Sequence, residues 1–366
     1  ANARPETVIS RPDQYVGIST WTGDGNTGRN IRTLQFKPDL VWIKQRSAIR
    51  AHALFDSVRG ANKRLQSSST NAETTHTDQM SAFIDNGFTV EDNNTVNVDS
   101  GTYVGWSWRA GGSKNTFNVD DVGYASAAAA GLTGGDITPS GASVGTKQGF
   151  SIVKFTGPGS AGFQSVPHGL SEKPKFILCK DLDNARNWSV FHEDVITADN
   201  QVFYLNNNLA ITTSDTNTWD VSAIDATTFT PYFRDDYGAS YNADNIAYLW
   251  HDVPGLQKFG SFTGNNSTDG PFVELGFRAA LIIYKVNQNG HNWMIFDSER
   301  DKDNPCSASL RGNLTNAESS FSALDITNNG FKFRNTDTNP DGAEIIYMAW
   351  AEAPSVDLYG GGANAR

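Results

Sequence analysis

Cysteine is almost absent, with Cys179 and Cys306 alone among 366 residues. A small disulfide-stapled scaffold is excluded, so stability must come from burial. The two cysteines fall in different copies of the repeat described below, and no bond between them is expected. Charge is also sparse, at 19% Asp, Glu, Lys and Arg, and it leans acidic, with a formal net charge of -11. The densest basic stretch, Lys44 to Arg64, has scattered charges. An acidic surface repels phosphate backbones, so no nucleic-acid partner is expected. No apolar run approaches the length of a membrane-spanning helix, and no membrane insertion is expected. No signal peptide is recognisable, and the chain opens on Ala, as a processed chain or a fragment would.

Catalytic constellations are missing too. Gly157-Pro158-Gly159-Ser160-Ala161-Gly162 has the wrong spacing for a nucleophile elbow and reads as a hairpin loop. No phosphate-cradling Gly-rich loop opens a helix. His52, His76, His168, His192, His251 and His291 never pair at metal-ligand spacing, and read as surface or turn residues. Alternate carboxylates at Asp297, Glu299, Asp301 and Asp303 could gather oxygen ligands for Ca²⁺. Arg300 and Lys302 neutralise part of that run and no Gly makes the turn, so a solvated loop is the simpler expectation. No metal, cofactor or enzymatic activity is expected.

What is abundant is aromatic and turn-forming: 21 Phe, 11 Tyr, 9 Trp and 34 Gly. Aromatics suit pleated, half-buried surfaces, so the expected class is all-β. One ordered set of landmarks occurs three times. An aromatic-Thr-Gly strand end appears at Trp21-Thr22-Gly23, Phe155-Thr156-Gly157 and Phe262-Thr263-Gly264. A compact apolar strand ending in Lys follows at Leu40 to Lys44, Phe176 to Lys180 and Leu281 to Lys285. Such runs fit strands buried on both faces. An exit strand reads Phe55-Asp56, Phe191-His192 and Phe296-Asp297, with His52, Trp188 and Trp293 three residues before each Phe. Asn71-Ala72-Glu73 recurs as Asn316-Ala317-Glu318, and Asn86-Gly87-Phe88 as Asn329-Gly330-Phe331. The middle copy has Thr227-Thr228-Phe229 where the Asn-Gly hairpin signal would fall. A closing strand places Val104, Trp106 and Trp108 on one face, and likewise Ile246, Tyr248, Trp250 and Ile346, Met348, Trp350.

The expected fold is therefore three tandem, diverged antiparallel β-sandwich or jelly-roll-like modules. They span 15–110, 149–254 and 255–354, with an N-terminal extension over 1–14 and a C-terminal tail over 355–366. The Gly/Ala/Ser-rich stretch 111–148 is expected to be a linker, or an arm that docks on a neighbouring subunit. Lys44, Lys180 and Lys285 are expected to snorkel at strand ends; a Lys–Asn isopeptide bond is the less favoured role. Seven tryptophans fall on the repeated strands and are expected to pack. Trp219 lies outside the landmarks, in a polar stretch. With Asn206, Asn207 and Asn208 it is the candidate contact for a ligand.

Pro38-Asp39-Leu40-Val41-Trp42-Ile43-Lys44, Phe55-Asp56-Ser57-Val58-Arg59-Gly60 and Tyr103-Val104-Gly105-Trp106-Ser107-Trp108 together resemble a family of repeated modules in bacteriophage virion proteins. Val166-Pro167-His168-Gly169-Leu170 and Ala351-Glu352-Ala353-Pro354 fit the same family, and the likeness runs from about Arg11 to Arg366. The resemblance implies a virion location and a structural protein, most simply a tail fibre, head fibre or appendage subunit serving host adhesion. It implies other virion proteins as partners, a homo-oligomer (a trimer, as phage fibres usually assemble) and a host surface glycan as a possible ligand. Alternatives are a capsid decoration protein clasping its neighbour with 111–148, and a glycan-binding receptor module. A depolymerase needs a carboxylate pair at a groove, which sequence does not reveal.

Overall fold

The computed structural model describes residues 8–235 and 238–352. The expected tail over 355–366, the first half of the N-terminal extension and the Asn-Ala-Arg triplets near both ends lie outside the described residues. The chain is all-β, with 42% strand and 3% helix.

Five strands take the same order in three segments. In the first, Val16–Thr22 pairs with the closing strand Thr102–Trp108, which pairs on its other side with Leu40–Gln45; Ala53–Asp56 and Gly60–Leu65 follow. The second runs Phe150–Thr156, Asp244–Trp250, Phe176–Asp181, Ser189–His192 and Gln201–Tyr204. The third runs Gln257–Thr263, Glu344–Ala351, Ala279–Val286, Met294–Asp297 and Cys306–Arg311. All of these pairings are antiparallel. The Lys-ended strands are buried along their length, as continuous apolar runs require.

One face of each five-strand sheet packs on a second layer. In the first segment that layer is Arg29–Ile31, Gly87–Val90 and Met80–Ile84, closing over Trp21, Val41, Phe55 and Phe88. In the third, the sheet continues through Ser319–Thr327, Gly330–Phe333 and Phe272–Glu274 and returns over Ile282, Tyr284 and Tyr347. The second segment has two short ribbons instead, Gly162–Phe163 with Tyr232–Phe233 and Val166–Pro167 with Thr228–Phe229. Loss of the Asn-Gly hairpin in the middle copy thus coincides with a reduced outer layer.

The other faces meet one another. Trp108, Trp250 and Trp350 form a closed triangle of edge-to-face rings, with centroids 6.3, 5.4 and 6.2 Å apart and interplanar angles near perpendicular. These are equivalent positions on the three closing strands, so the segments are related by an approximate threefold axis through the triangle. Around it, Leu40, Trp42, Leu178, Ile283 and Met348 enclose a cavity of only about 20 Å³. The indole N–H groups of the three triangle tryptophans have no oxygen partner. Ring edges set against neighbouring π-faces are a setting in which that is tolerated.

The repeated Thr-Gly landmark has a steric cause. A Cβ on Gly23, Gly157 or Gly264 would lie 1.9, 2.1 or 2.2 Å from the carbonyl oxygen of Val98, Ser240 or Pro340. Each glycine also donates its N–H to the loop before the closing strand, at Gly101, Ala243 and Ala343. Only a residue without a side chain lets the two backbones approach so closely.

The expectation of a linker or arm over 111–148 is corrected. Phe117–Val119 pairs with Val122–Tyr124 through a two-residue turn, Asp120-Asp121, with both φ values positive. Phe117–Val119 also pairs in parallel with Gly141–Gly145, which pairs antiparallel with Phe150–Thr156. The segment therefore adds three strands to the second sheet, which has nine with Thr212–Thr213 at its other edge, and buries Phe117, Ala142 and Val144. Both cysteines are free and buried. Cys306 opens the strand Cys306–Arg311.

Candidate functional site

Most of the candidate chemistry of the sequence lies between the segments. Trp188 Nε1 donates to the Gln66 carbonyl at 2.8 Å and Trp293 Nε1 to the Tyr204 carbonyl at 2.9 Å. In the first segment His52 takes this position: Trp42 Nε1 donates to its Nδ1 at 2.7 Å, so the proton sits on Nε2, which faces the Arg311 carbonyl at 3.0 Å. Second reaches to first, third to second and first to third, which closes a ring. Trp106 Nε1 donates to Asp297 at 2.9 Å, and Tyr248 donates to Asp56 at 2.7 Å. At the third junction Met348 and His192 occupy these equivalent places, and a thioether has no proton to donate, so this hydrogen bond is not made there.

Both aspartates hold buried arginines. Asp297 pairs with Arg300 and Asp56 with Arg59, all with side chains 1% exposed or less. Glu318 bridges Arg300 to Arg46 of the first segment. Glu73 bridges Arg59 to Lys63. The repeated Asn-Ala-Glu landmark is thus an anchor for these guanidinium groups. The backbone N–H groups of Glu73 and Glu318 bond to the Leu182 and Arg46 carbonyls of the adjacent segments.

The acidic run is dispersed by this arrangement. Asp297 is committed to Arg300, and Asp301 accepts the backbone N–H groups of Ser307 and Ala308. Among the described residues no group of three or more His, Cys, Asp or Glu side chains is placed to hold a metal.

The lysine expectation is also corrected. Lys44, Lys180 and Lys285 do not snorkel; they are wholly buried. Each Nζ donates to the carbonyl of its strand's last residue and to one in the loop beyond: Gln45 and Ala48, Asp181 and Asn184, Val286 and Gln288. Burial lowers all three from the usual lysine value, Lys44 and Lys180 to about 8 and Lys285 to about 7.

Four histidines read as surface or turn residues are buried: His52, His168, His192 and His251. Burial lowers His52 to about 3, and His168 and His192 to about 4. In each, Nδ1 accepts a hydrogen bond, from Trp42, Leu170 or Asp194. The unfolded chain, with histidines near 6.5, binds protons that the folded chain refuses between about pH 6.5 and 4. Stability is therefore present above that window and falls as pH drops through it, by up to about 1.4 kcal/mol per histidine per pH unit. We expect a lower urea midpoint at pH 5 than at pH 7.5; equal midpoints would contradict this assignment.

Trp219 is not an exposed contact. It is 0% exposed, packs edge-on against Phe191 at 5.9 Å and bridges to Pro231. Asn206 is structural: its Oδ1 accepts from Trp188 N at 2.8 Å and its Nδ2 donates to Asn187. Asn207 closes a turn onto Leu209 N. Asn208 is exposed, and its carbonyl accepts from Gly290 N of the third segment. The seven tryptophans expected to pack are all 3% exposed or less.

Gly290 leads to a recess that sequence reading missed. It has about 150 Å³ and is lined by Tyr284, His291, Asn292, Arg311, Phe321 and Asp337. These come from four separate stretches, so no spacing joins them. A larger open groove, about 580 Å³, lies by Phe272, Asn304 and Asp325, and its Arg278 is already paired with Glu352.

The architecture defines a class: an all-β chain whose three equivalent sheets close on one axis, with Asp56 and Asp297 each taking a hydrogen bond across a junction. The chain belongs to the family described as "Domain of unknown function (DUF7483)", whose model matches residues 11–354 and so takes in all three segments. No curated protein and no solved structure matches it.

Proposed function

We propose that this chain is a non-enzymatic structural protein of a bacteriophage virion, a tail fibre, head fibre or appendage subunit that serves host adhesion. The observation that supports this best is the use of the ionisable groups. Asp56 and Asp297 each accept a hydrogen bond from a neighbouring segment, are held by Arg59 and Arg300 of their own, and all four side chains are withdrawn from solvent. That is what a rigid, load-tolerant body needs and the opposite of an accessible catalytic carboxylate. The likeness to repeated virion modules is the ground for proposing that location.

A threefold body does not require three chains here, because the three segments cover one another's tryptophan faces. We therefore propose a single chain as the unit that binds other virion proteins, in place of the trimer implied by the resemblance. Light scattering should give a mass near 39.7 kDa. A decoration protein using 111–148 is less favoured, since that segment would have to leave the sheet where Phe117 and Val144 are buried. Immunogold labelling of purified particles is expected to mark tails or appendages; particles without the protein would refute the reading.

A further inference from the structure

We propose that the recess in the third segment binds one acidic pyranose unit, a hexuronate of a surface polysaccharide, with its carboxylate on Arg311. This goes beyond the structural reading above, and stands or falls independently of where the chain resides.

The size fits one edge of the sugar. A cavity of about 150 Å³ holds a single benzene, about half the non-hydrogen atoms of a hexuronate, so the carboxylate edge enters and the rest of the ring stays at the mouth. The lining mixes polar groups with Val286, Met294 and Phe321, a better match for a hydroxylated ring with C–H faces than for a bare hydrocarbon. Phe321, half-buried, supplies aromatic surface for the ring's apolar edge, and Tyr284 closes the floor. Tyr284 is 1% exposed, and its hydroxyl makes no hydrogen bond of normal geometry, although Thr338 lies alongside. Asn292 accepts from Asn313 through Oδ1, and no hydrogen bond occupies its Nδ2.

The charge fits an anion. Arg46, Arg59, Arg278 and Arg300 each hold a carboxylate. Arg311 has no ion pair among the described residues, although Asp337 lines the same recess. Its backbone is fixed, paired with Met294 and accepting from His52, so the side chain starts from a set point on the wall of the recess. A guanidinium fork matches a carboxylate in two-point geometry. Asp337 and His291 remain to accept ring hydroxyls. A free amino acid would use the opposite charges but leave Tyr284, Asn292 and His291 unmatched.

The fold does not demand this chemistry. The place of Tyr284 is taken by Ile43 in the first segment and Cys179 in the second, and that of Arg311 by Gln66 and Tyr204. A Tyr–Arg pair at one of three equivalent positions is an addition to the scaffold.

The test is a ligand-observed NMR titration of the full chain with glucuronate, galacturonate, glucuronamide, glucose and glycine. A uronate should saturate at millimolar concentration. Glucuronamide, or Arg311→Gln with glucuronate, should bind about tenfold more weakly or worse, the usual scale for losing a charge-assisted pair. Tyr284→Phe should weaken binding by a smaller factor and leave the melting temperature close to that of the parent. Binding of glucose or glycine as tight as that of glucuronate, no uronate binding, or an Arg311→Gln variant with undiminished affinity would overturn the proposal. If Arg311→Gln does not fold, the contrast between glucuronate and glucuronamide on the parent chain decides.

Discussion

Replacing Trp350 with alanine should destabilise the whole chain by about 3–5 kcal/mol, the scale of emptying a large aromatic from a close-packed core. Trp350 is 1% exposed and touches Trp108 of the first segment, Trp250 of the second and Phe259 of its own. The cavity it leaves opens onto all three sheets. Urea unfolding followed by tryptophan fluorescence and by far-ultraviolet circular dichroism should therefore shift as one transition. Separate melting of the third segment, with the other two intact, would mean that the axial triangle is not the cooperative unit.

Asp297→Asn should cost a similar amount, about 3–5 kcal/mol, because it strands a guanidinium in the interior. Asp297 binds Arg300 through both side chain and backbone, and receives Trp106 from the first segment. Glu318 still faces Arg300, but it is shared with Arg46. The expected signature is a fall in stability that the paired change Asp297→Leu with Arg300→Met largely restores, since the desolvation of both ions is then removed. A single substitution that leaves the urea midpoint unchanged would show that the junction is held by packing alone. The same experiment at Asp56, with Arg59 and Tyr248, should give the same direction.

Much of this was legible in the sequence. The aromatic-Thr-Gly landmark survives divergence because three backbones leave no room for a Cβ, and a steric demand of that kind fixes a residue type. The period-two closing strands correctly placed Trp108, Trp250 and Trp350 on corresponding faces. What could not be read was which face meets the axis, because both faces of these sheets are buried and apolar. The lysines misled for a related reason: a strand-end Lys looks solvated unless the two carbonyls it will cap are known to lie inside. Trp219 sits in a polar stretch, but its neighbours Phe191 and Pro231 arrive from other strands. Segment 111–148 looked structureless because its hairpin turns on Asp120-Asp121 rather than a glycine pair, and its strands are three to five residues long.

Fusion of three equivalent sheets into one polypeptide has a further consequence. A ring built from identical chains must display every feature in triplicate, and a change in one is a change in all. Here each third can drift separately while the polypeptide itself keeps the other two at fixed local concentration. The middle third has shed much of its outer layer and gained a three-strand extension. The last third alone carries Arg311 and Tyr284 beside a recess. A covalent ring of this kind can be monovalent at one face and still threefold in its mechanics.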